Sequence, residues 1–234
     1  MKNLCRIFLA LFLSAFRVSG QEGDGWGFVN IANLIPSTEP CEISIGGETV
    51  VPDGLKGGDY TGWFMVKKGS KSLKISLGEL DEAKGNIDIV EGAGNLIGIY
   101  LEPSKRLDKE GKPLPPKIRI KSFPTYDSRG FGLRFVSLLP EKSRFQLGSM
   151  RIEAEALKPL KVPKWNGGGF EISRGGKPIG TIAKAEENGA FYLLVGTDHQ
   201  GSFASILVSS NAQEVPEYLK PKNKEEEPKS KVTE

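Results

Sequence analysis

Apolar and polar residues alternate along most of this chain, in the period-two pattern of half-buried strands. Phe28–Leu34, Cys41–Ile45 and Ser72–Leu77 show the pattern in the first half, and Gly132–Leu138 and Ala190–Gly196 show it in the second. Turn-forming residues separate these runs, since the chain contains 29 Gly and 15 Pro. Short alternating strands with turns between them are typical of antiparallel sandwiches and barrels, so the pattern predicts an all-β fold.

The order of the strands repeats along the chain, which is the sign of an internal duplication. Four pairs of segments align, with their apolar positions in phase: Phe28–Pro36 with Gly132–Pro140, Cys41–Ile43 with Phe145–Leu147, Phe64–Gly69 with Phe170–Gly175, and Gly94–Tyr100 with Gly189–Val195. Chance similarity between unrelated strands is the alternative explanation. The duplication predicts two tandem antiparallel β-sandwich-like domains, at 21–126 and 127–212, joined near 126–130.

The first twenty residues have the three zones of a secretory signal peptide. Lys2 and Arg6 are basic, residues 7–16 form an apolar run, and Val18 and Gly20 are small residues suited to cleavage before Gln21. The apolar run is about half the length that a membrane-spanning helix requires, roughly twenty residues. We therefore expect residues 1–20 to be a signal peptide and the protein to be secreted or periplasmic. An uncleaved short anchor and a buried core helix are the alternatives.

The charge of the chain changes once the signal peptide is removed. The net charge is +3, and Lys2, Arg6 and Arg17 account for all of it. Without them the chain is neutral, so its basic pI of 8.7 does not support nucleic-acid binding. Residues 213–234 are rich in Glu, Lys and Pro and poor in apolar residues, which predicts a disordered charged tail. No later apolar stretch has the length of a transmembrane segment.

Candidate catalytic and metal-binding residues are scarce. The chain has one histidine, His199, and after cleavage one cysteine, Cys41, which lies in an alternating strand and is expected to be a buried, inert thiol. A catalytic triad would have to use His199, which lies in a predicted turn, and a zinc site needs more His and Cys ligands than the chain has. The sequence therefore predicts a protein that is not an enzyme and has no metal or cofactor. A secreted hydrolase with an unidentified carboxylate pair is an alternative.

Aromatic residues in two glycine-rich segments are the candidate ligand-binding residues. Trp63 and Tyr60 lie in one segment, and Trp165 and Asn166 lie in the other. An exposed tryptophan beside glycine and asparagine can stack on a sugar ring or anchor a protein partner. Packing in the core between two sheets is the alternative role for both tryptophans.

The opening strands resemble a known group of domains. Phe28–Pro36, Cys41–Gly47 and Gly69–Ile75 are similar to the first strands of small, uncharacterised β-sandwich domains in bacterial secreted and envelope proteins. The chain departs from that pattern at Gly69-Ser-Lys-Ser-Leu73, where the group has Gly-x-Tyr. The resemblance implies a sandwich fold and an envelope location, and it supplies no site residues.

Together these patterns predict a non-enzymatic secreted or periplasmic protein that acts by binding or as a structural component of the cell envelope. The expected partner is a protein, another envelope component or a polysaccharide. A carbohydrate-binding module that uses Trp63 and Trp165 is the main alternative within this class.

Overall fold

The structure, a computed structural model, describes residues 25–104, 106–198 and 201–211. Within these ranges the regular elements are all strands, which confirms the predicted all-β class. The strands are β1 (Trp26–Asn33), β2 (Glu42–Ile45), β3 (Glu48–Thr49), β4 (Phe64–Lys67), β5 (Gly69–Ser76), β6 (Ala83–Ile89), β7 (Gly94–Glu102), β8 (Lys117–Pro124), β9 (Phe131–Ser137), β10 (Ser143–Leu147), β11 (Met150–Ala154), β12 (Leu160–Val162), β13 (Phe170–Arg174), β14 (Lys177–Ile182), β15 (Gly189–Thr197) and β16 (Phe203–Ser209).

Several predictions fall on residues outside the described ranges. The signal peptide at 1–20, the charged tail at 213–234 and His199 are among them. Across the part of the chain that is described, no helix is long and apolar enough to cross a membrane.

The first eight strands form a sandwich of two four-stranded sheets. Sheet 1 has the order β4-β1-β7-β8, and sheet 2 has the order β3-β2-β5-β6. Alternate residues of both sheets point into the space between them, as the period-two pattern requires. The centre of this core is fully or almost fully buried and consists of Val29, Ile31, Ile43, Leu73, Ile75, Ile97 and Ile99.

The second eight strands repeat this arrangement. Sheet 3 has the order β12-β9-β15-β16 and sheet 4 has the order β11-β10-β13-β14, so each strand takes the place of the strand eight before it. A second core lies between these sheets and includes Leu133, Phe135, Phe145, Ile172, Leu193 and Val195. The four sheets thus form two sandwiches with one topology.

Each sandwich contains one parallel strand pair, which the sequence pattern did not predict. β1 pairs in parallel with β7, and β9 pairs in parallel with β15. Parallel neighbours need a long crossover connection, and here the connection runs through the opposite sheet. The remaining pairs between the strands are antiparallel.

The strand order corrects part of the sequence alignment of the two halves. The predicted match of Phe64–Gly69 with Phe170–Gly175 is wrong, because β4 is an edge strand equivalent to β12, whereas β13 is the equivalent of β5. The predicted match of β1 with β9 agrees with the hydrogen bonds that follow these strands. The Leu34 amide donates to Ile99 in β7, and the Leu138 amide donates to Val195 in β15, both over 2.8 Å. In β7 and β15 the true register is shifted by one residue, since Gly94 lies opposite Phe28 and Ala190 lies opposite Gly132.

The two sandwiches pack together through the outer faces of sheets 1 and 3. Leu34 and Leu96 from sheet 1 meet Leu138, Tyr192 and Leu194 from sheet 3 in a third buried cluster. The backbones approach closely here. A Cβ atom at Gly196 would lie 2.6 Å from the Cβ of Leu34, so only glycine fits without movement.

Tyr126 fixes the connection between the sandwiches. Its hydroxyl lies 3.0 Å from the carbonyl oxygen of Gly132 and accepts a 3.0 Å hydrogen bond from the amide of Phe191. The Arg134 guanidinium lies 3.8 Å from the centre of the Tyr126 ring. Burial raises the pKa of Tyr126 from 10.0 to about 12, so the phenol stays protonated even above pH 10. The connection is therefore anchored on the second sandwich.

Candidate functional site

Trp165 packs in the core of the second sandwich. Its side chain is 9% exposed and makes edge-on contacts with the rings of Phe131 and Phe191, at centroid distances of 5.7 and 5.4 Å. Its indole N–H donates to the carbonyl oxygen of Gly168 over 2.9 Å. Gly167 has a φ of 83°, and a Cβ there would lie 2.5 Å from the Phe131 ring, so the glycines allow the segment to close over the core. This is the core-packing role, the alternative to ligand stacking.

Trp63 lies at the junction of the two sandwiches. It is half-buried against the cluster between sheets 1 and 3, and its indole N–H donates to the carbonyl oxygen of Ser209 over 3.1 Å. The two tryptophans therefore contact different clusters. Their segments also hold different places in the repeat, because Trp63 lies between β3 and β4 and Trp165 lies between β12 and β13.

The two polar candidates lie on separate parts of the surface. Asn166 is exposed beside the Trp165 segment, where its side-chain oxygen accepts a 3.2 Å hydrogen bond from the amide of Gly168. Tyr60 is 50% exposed and opens onto a groove in the first sandwich. Of the four predicted site residues, only Tyr60 lines this groove.

The groove, here termed the β4 groove, lies on the open side of the first sandwich between the edge strands β3 and β4 and has a volume of about 830 Å³. Buried Ile45 and Leu55 and half-buried Phe64 and Val66 make its lining apolar. The other residues that line it are Trp26, Gly46, Glu48, Thr49, Val50, Val51, Pro52, Tyr60, Thr61, Met65, Lys67 and Lys71. A bound apolar side chain could contact this lining on one side while the other side stays open to solvent.

A buried asparagine positions the wall of the β4 groove. The Asn33 side-chain amide donates to the carbonyl oxygen of Leu55 over 2.8 Å, and its oxygen accepts a bond from the Ile35 amide over 3.0 Å. Leu55 in turn exchanges two backbone hydrogen bonds with Cys41. These bonds hold segment 50–63, which joins β3 to β4, against the core.

A second cavity, of about 650 Å³, lies where the two sandwiches meet under the loop that contains residues 103–116. Both signs of charge line it, and Arg119 forms a 2.6 Å ion pair with Glu102. Acidic Glu79 and Asp81 and basic Arg106 and Lys117 also line it. This balance gives the cavity no clear preference for one ligand charge.

Among the described residues, the titratable groups with shifted pKa values are either at least partly buried or held in ion pairs with lysine or arginine. Within the described ranges, no three His, Cys, Asp or Glu residues lie close enough to hold a metal ion. Neighbouring Lys74 and Lys84 lower the pKa of Glu82, whereas a general acid of the glycosidase type needs a raised pKa. Cys41 is buried, as the alternation predicted, and burial raises the pKa of its thiol to about 11. That shift keeps the thiol protonated and unreactive near neutral pH.

Sequence reasoning missed most of the β4 groove. Trp26 and Phe64 line it, and neither stood out as a site residue because each lies in or beside a run with ordinary strand alternation. The only available signal was the long, glycine-rich segment before β4, which also contains Tyr60. Comparison with known proteins adds no relative, since neither a family model nor a curated protein sequence matches this chain.

Proposed function

We propose that this chain is an exported, non-enzymatic binding protein that holds a segment of a protein partner in the β4 groove. The observation that carries the proposal is the exposed Tyr60 beside an apolar groove that Phe64 and Val66 leave half-covered. Aromatic side chains of this kind dominate the energy of many protein interfaces because one ring buries a large area with little loss of conformational freedom. Export is inferred from residues 1–20, which read as a signal peptide.

Polysaccharide binding is the second candidate function. Tyr60 and Trp26 both line the β4 groove, and either ring could stack on the flat face of a sugar. The same site therefore serves both candidates, with Tyr60 and Trp26 in place of the pair Trp63 and Trp165. Sugar sites need several polar groups that bond hydroxyls, whereas Ile45, Leu55, Phe64 and Val66 make the lining of this groove mainly apolar. The protein partner is preferred for that reason.

The test uses Trp26 as a reporter inside the groove. Random dodecapeptides displayed on phage are selected against the full mature chain, and a panel of soluble β-glucans, xylan and chitin oligosaccharides is tested in parallel. We expect selected peptides to change the tryptophan emission. The change should disappear in Trp26→Phe and persist in Trp63→Phe, because Trp63 lies at the junction of the sandwiches.

A Tyr60→Ala variant tests whether Tyr60 contributes to peptide binding. It should weaken peptide binding by about tenfold, the loss expected for one aromatic anchor. If only polysaccharides bind and Tyr60→Ala weakens them, the second candidate function replaces the first. If no probe binds, or if binding is indifferent to Tyr60→Ala, the β4 groove is not the site.

A further inference from the structure

The backbone of β4 is an unpaired sheet edge beside the β4 groove. β4 is the outermost strand of sheet 1, and among the described residues it pairs with β1 alone. An edge strand presents a row of amide and carbonyl groups on which a further strand can add. The inference below rests on the proposed function and concerns how the partner is bound.

The register of β4 shows which backbone groups point outward. The Lys68 amide donates to the carbonyl oxygen of Gly25 over 2.9 Å. In an antiparallel ladder, hydrogen-bonded and non-hydrogen-bonded pairs alternate, so Gly27 with Val66 and Val29 with Phe64 are also hydrogen-bonded pairs. Met65 and Lys67 therefore turn their amide and carbonyl groups away from β1. The residue opposite Met65 supports this register. The Phe28 amide donates to the carbonyl oxygen of Ala93, next to β7, and so points away from β4.

Side chains of an added strand would meet the apolar part of the β4 groove. Phe64 and Val66 point toward the core of the first sandwich but remain half-buried, because β4 has no neighbour on its outer side. Ile45 and Leu55 lie deeper in the same lining. In an added strand, alternate side chains point to this side, so apolar residues at every second position fit it.

The charges at the margin of the groove favour an acidic partner segment. Lys67 lines it at the end of β4, whereas its one carboxylate, Glu48, lies on β3. The Lys67 ammonium lies 5.9 Å from the centre of the Trp26 ring, at the end of β4. An acidic side chain of an added strand would meet a positive field there, which would steer association more than it would strengthen binding.

We infer that the partner binds as an extended peptide that adds a fifth strand to sheet 1 along β4, with apolar residues at alternate positions and an acidic residue facing Lys67. The outward amide and carbonyl groups of Met65 and Lys67 supply the main-chain hydrogen bonds. Phe64, Val66 and Tyr60 supply the apolar contacts that select the sequence.

Backbone variants of β4 test this mode of binding. Peptides selected on the full mature chain are titrated against Met65→Pro, which removes the outward amide and leaves the bonds to β1 intact. We expect affinity to fall by about tenfold, equivalent to one lost hydrogen bond. Met65→Val, which keeps the amide and suits a strand, is the matched control and should bind within about twofold of the original chain.

Amide exchange measured by NMR on the unaltered chain gives a second readout that requires no variant. A bound peptide should slow exchange at Met65 and Lys67, while Phe64 and Val66 should already be slow because they bond to β1. Selected peptides should also be enriched in Asp or Glu, and Lys67→Gln should remove that enrichment.

Peptides that bind with a Trp26 response but leave exchange at Met65 and Lys67 unchanged would overturn strand addition while leaving the proposed function intact. Equal affinity for Met65→Pro and Met65→Val would have the same meaning. A groove that binds polysaccharides alone would exclude this inference together with the protein partner.

Discussion

The two sandwiches share one strand order but differ in which connection between strands is long. The first carries its extra chain between β3 and β4, in segment 50–63, and keeps an apolar groove with Tyr60 at its margin. The second joins β11 to β12 through the short segment 155–159 and places its extra chain between β12 and β13, where Trp165 enters the core. The first sandwich thus leaves the apolar lining of the β4 groove accessible, and the second buries Trp165 in its core.

A single buried position illustrates how this difference arises. Asn33 ends β1 and reaches the carbonyl oxygen of Leu55 in segment 50–63. Ser137 ends β9 at the equivalent position, and its shorter side chain accepts only a local 3.4 Å bond from the Leu139 amide. The longer side chain therefore accompanies the longer segment, and the two sandwiches differ at their connections while both keep their cores.

The largest effect should come from emptying the closed core of the second sandwich. Trp165→Ala removes a ring that packs on Phe131 and Phe191, and it should lower the free energy of unfolding by about 3–5 kcal/mol. Urea denaturation of the full mature chain measures the change, with Trp165→Phe as a milder control. A loss below about 1 kcal/mol would show that Trp165 contributes little to this core.

Alkaline pH should weaken the first sandwich through Cys41. Burial raises its pKa from 9.0 to about 11, so the unfolded chain loses the thiol proton at a lower pH than the folded chain. The stabilisation is complete below pH 9 and is lost as the pH rises to 11, by about 2–3 kcal/mol. Denaturation curves across this pH range should fall more steeply for the original chain than for Cys41→Ala. Parallel slopes would mean that the thiol is not buried.

Converting Asn33 to the residue found in the second sandwich should loosen the wall of the β4 groove. Asn33→Ser keeps the local bond to the Ile35 amide but leaves the Leu55 carbonyl without its side-chain donor. We expect a cost of about 1–2 kcal/mol and faster hydrogen exchange in segment 50–63. Ser137→Ala is the matched control in the second sandwich and should leave segment 50–63 unchanged. Equal exchange in both variants would remove Asn33 as the anchor.

The smallest effect on stability should come from Tyr60. Its side chain is 50% exposed, so Tyr60→Ala should change the free energy of unfolding by no more than about 0.5 kcal/mol. The same substitution is expected to weaken binding, which sets it apart from Trp165→Ala. A large loss of stability in Tyr60→Ala would assign this residue to the structure rather than to a binding surface.

The fold class followed from the sequence, but the choice among aromatic residues did not. Alternation is a local property, so Phe28–Leu34 and Gly132–Leu138 could be recognised as strands with buried faces. The parallel pairing of β1 with β7 depends on contacts distant in sequence, which alternation does not encode. Trp63 and Trp165 have similar glycine-rich neighbours, and their burial depends on which connection carries them. The glycine-rich segment around Tyr60 makes it a candidate from the sequence alone. Trp26 and β4 become candidates only once the sheet order places β4 at an edge beside the groove.

Hydrogen exchange of the full mature chain, with and without the selected peptide that gives the strongest Trp26 response, tests the central claim most directly. Peptide binding is predicted to slow exchange in residues 45–67, around the β4 groove, and to leave residues 150–170 of the second sandwich unchanged. Protection in residues 150–170, or at the junction of the sandwiches with none in residues 45–67, would contradict the assignment of the binding surface to the first sandwich.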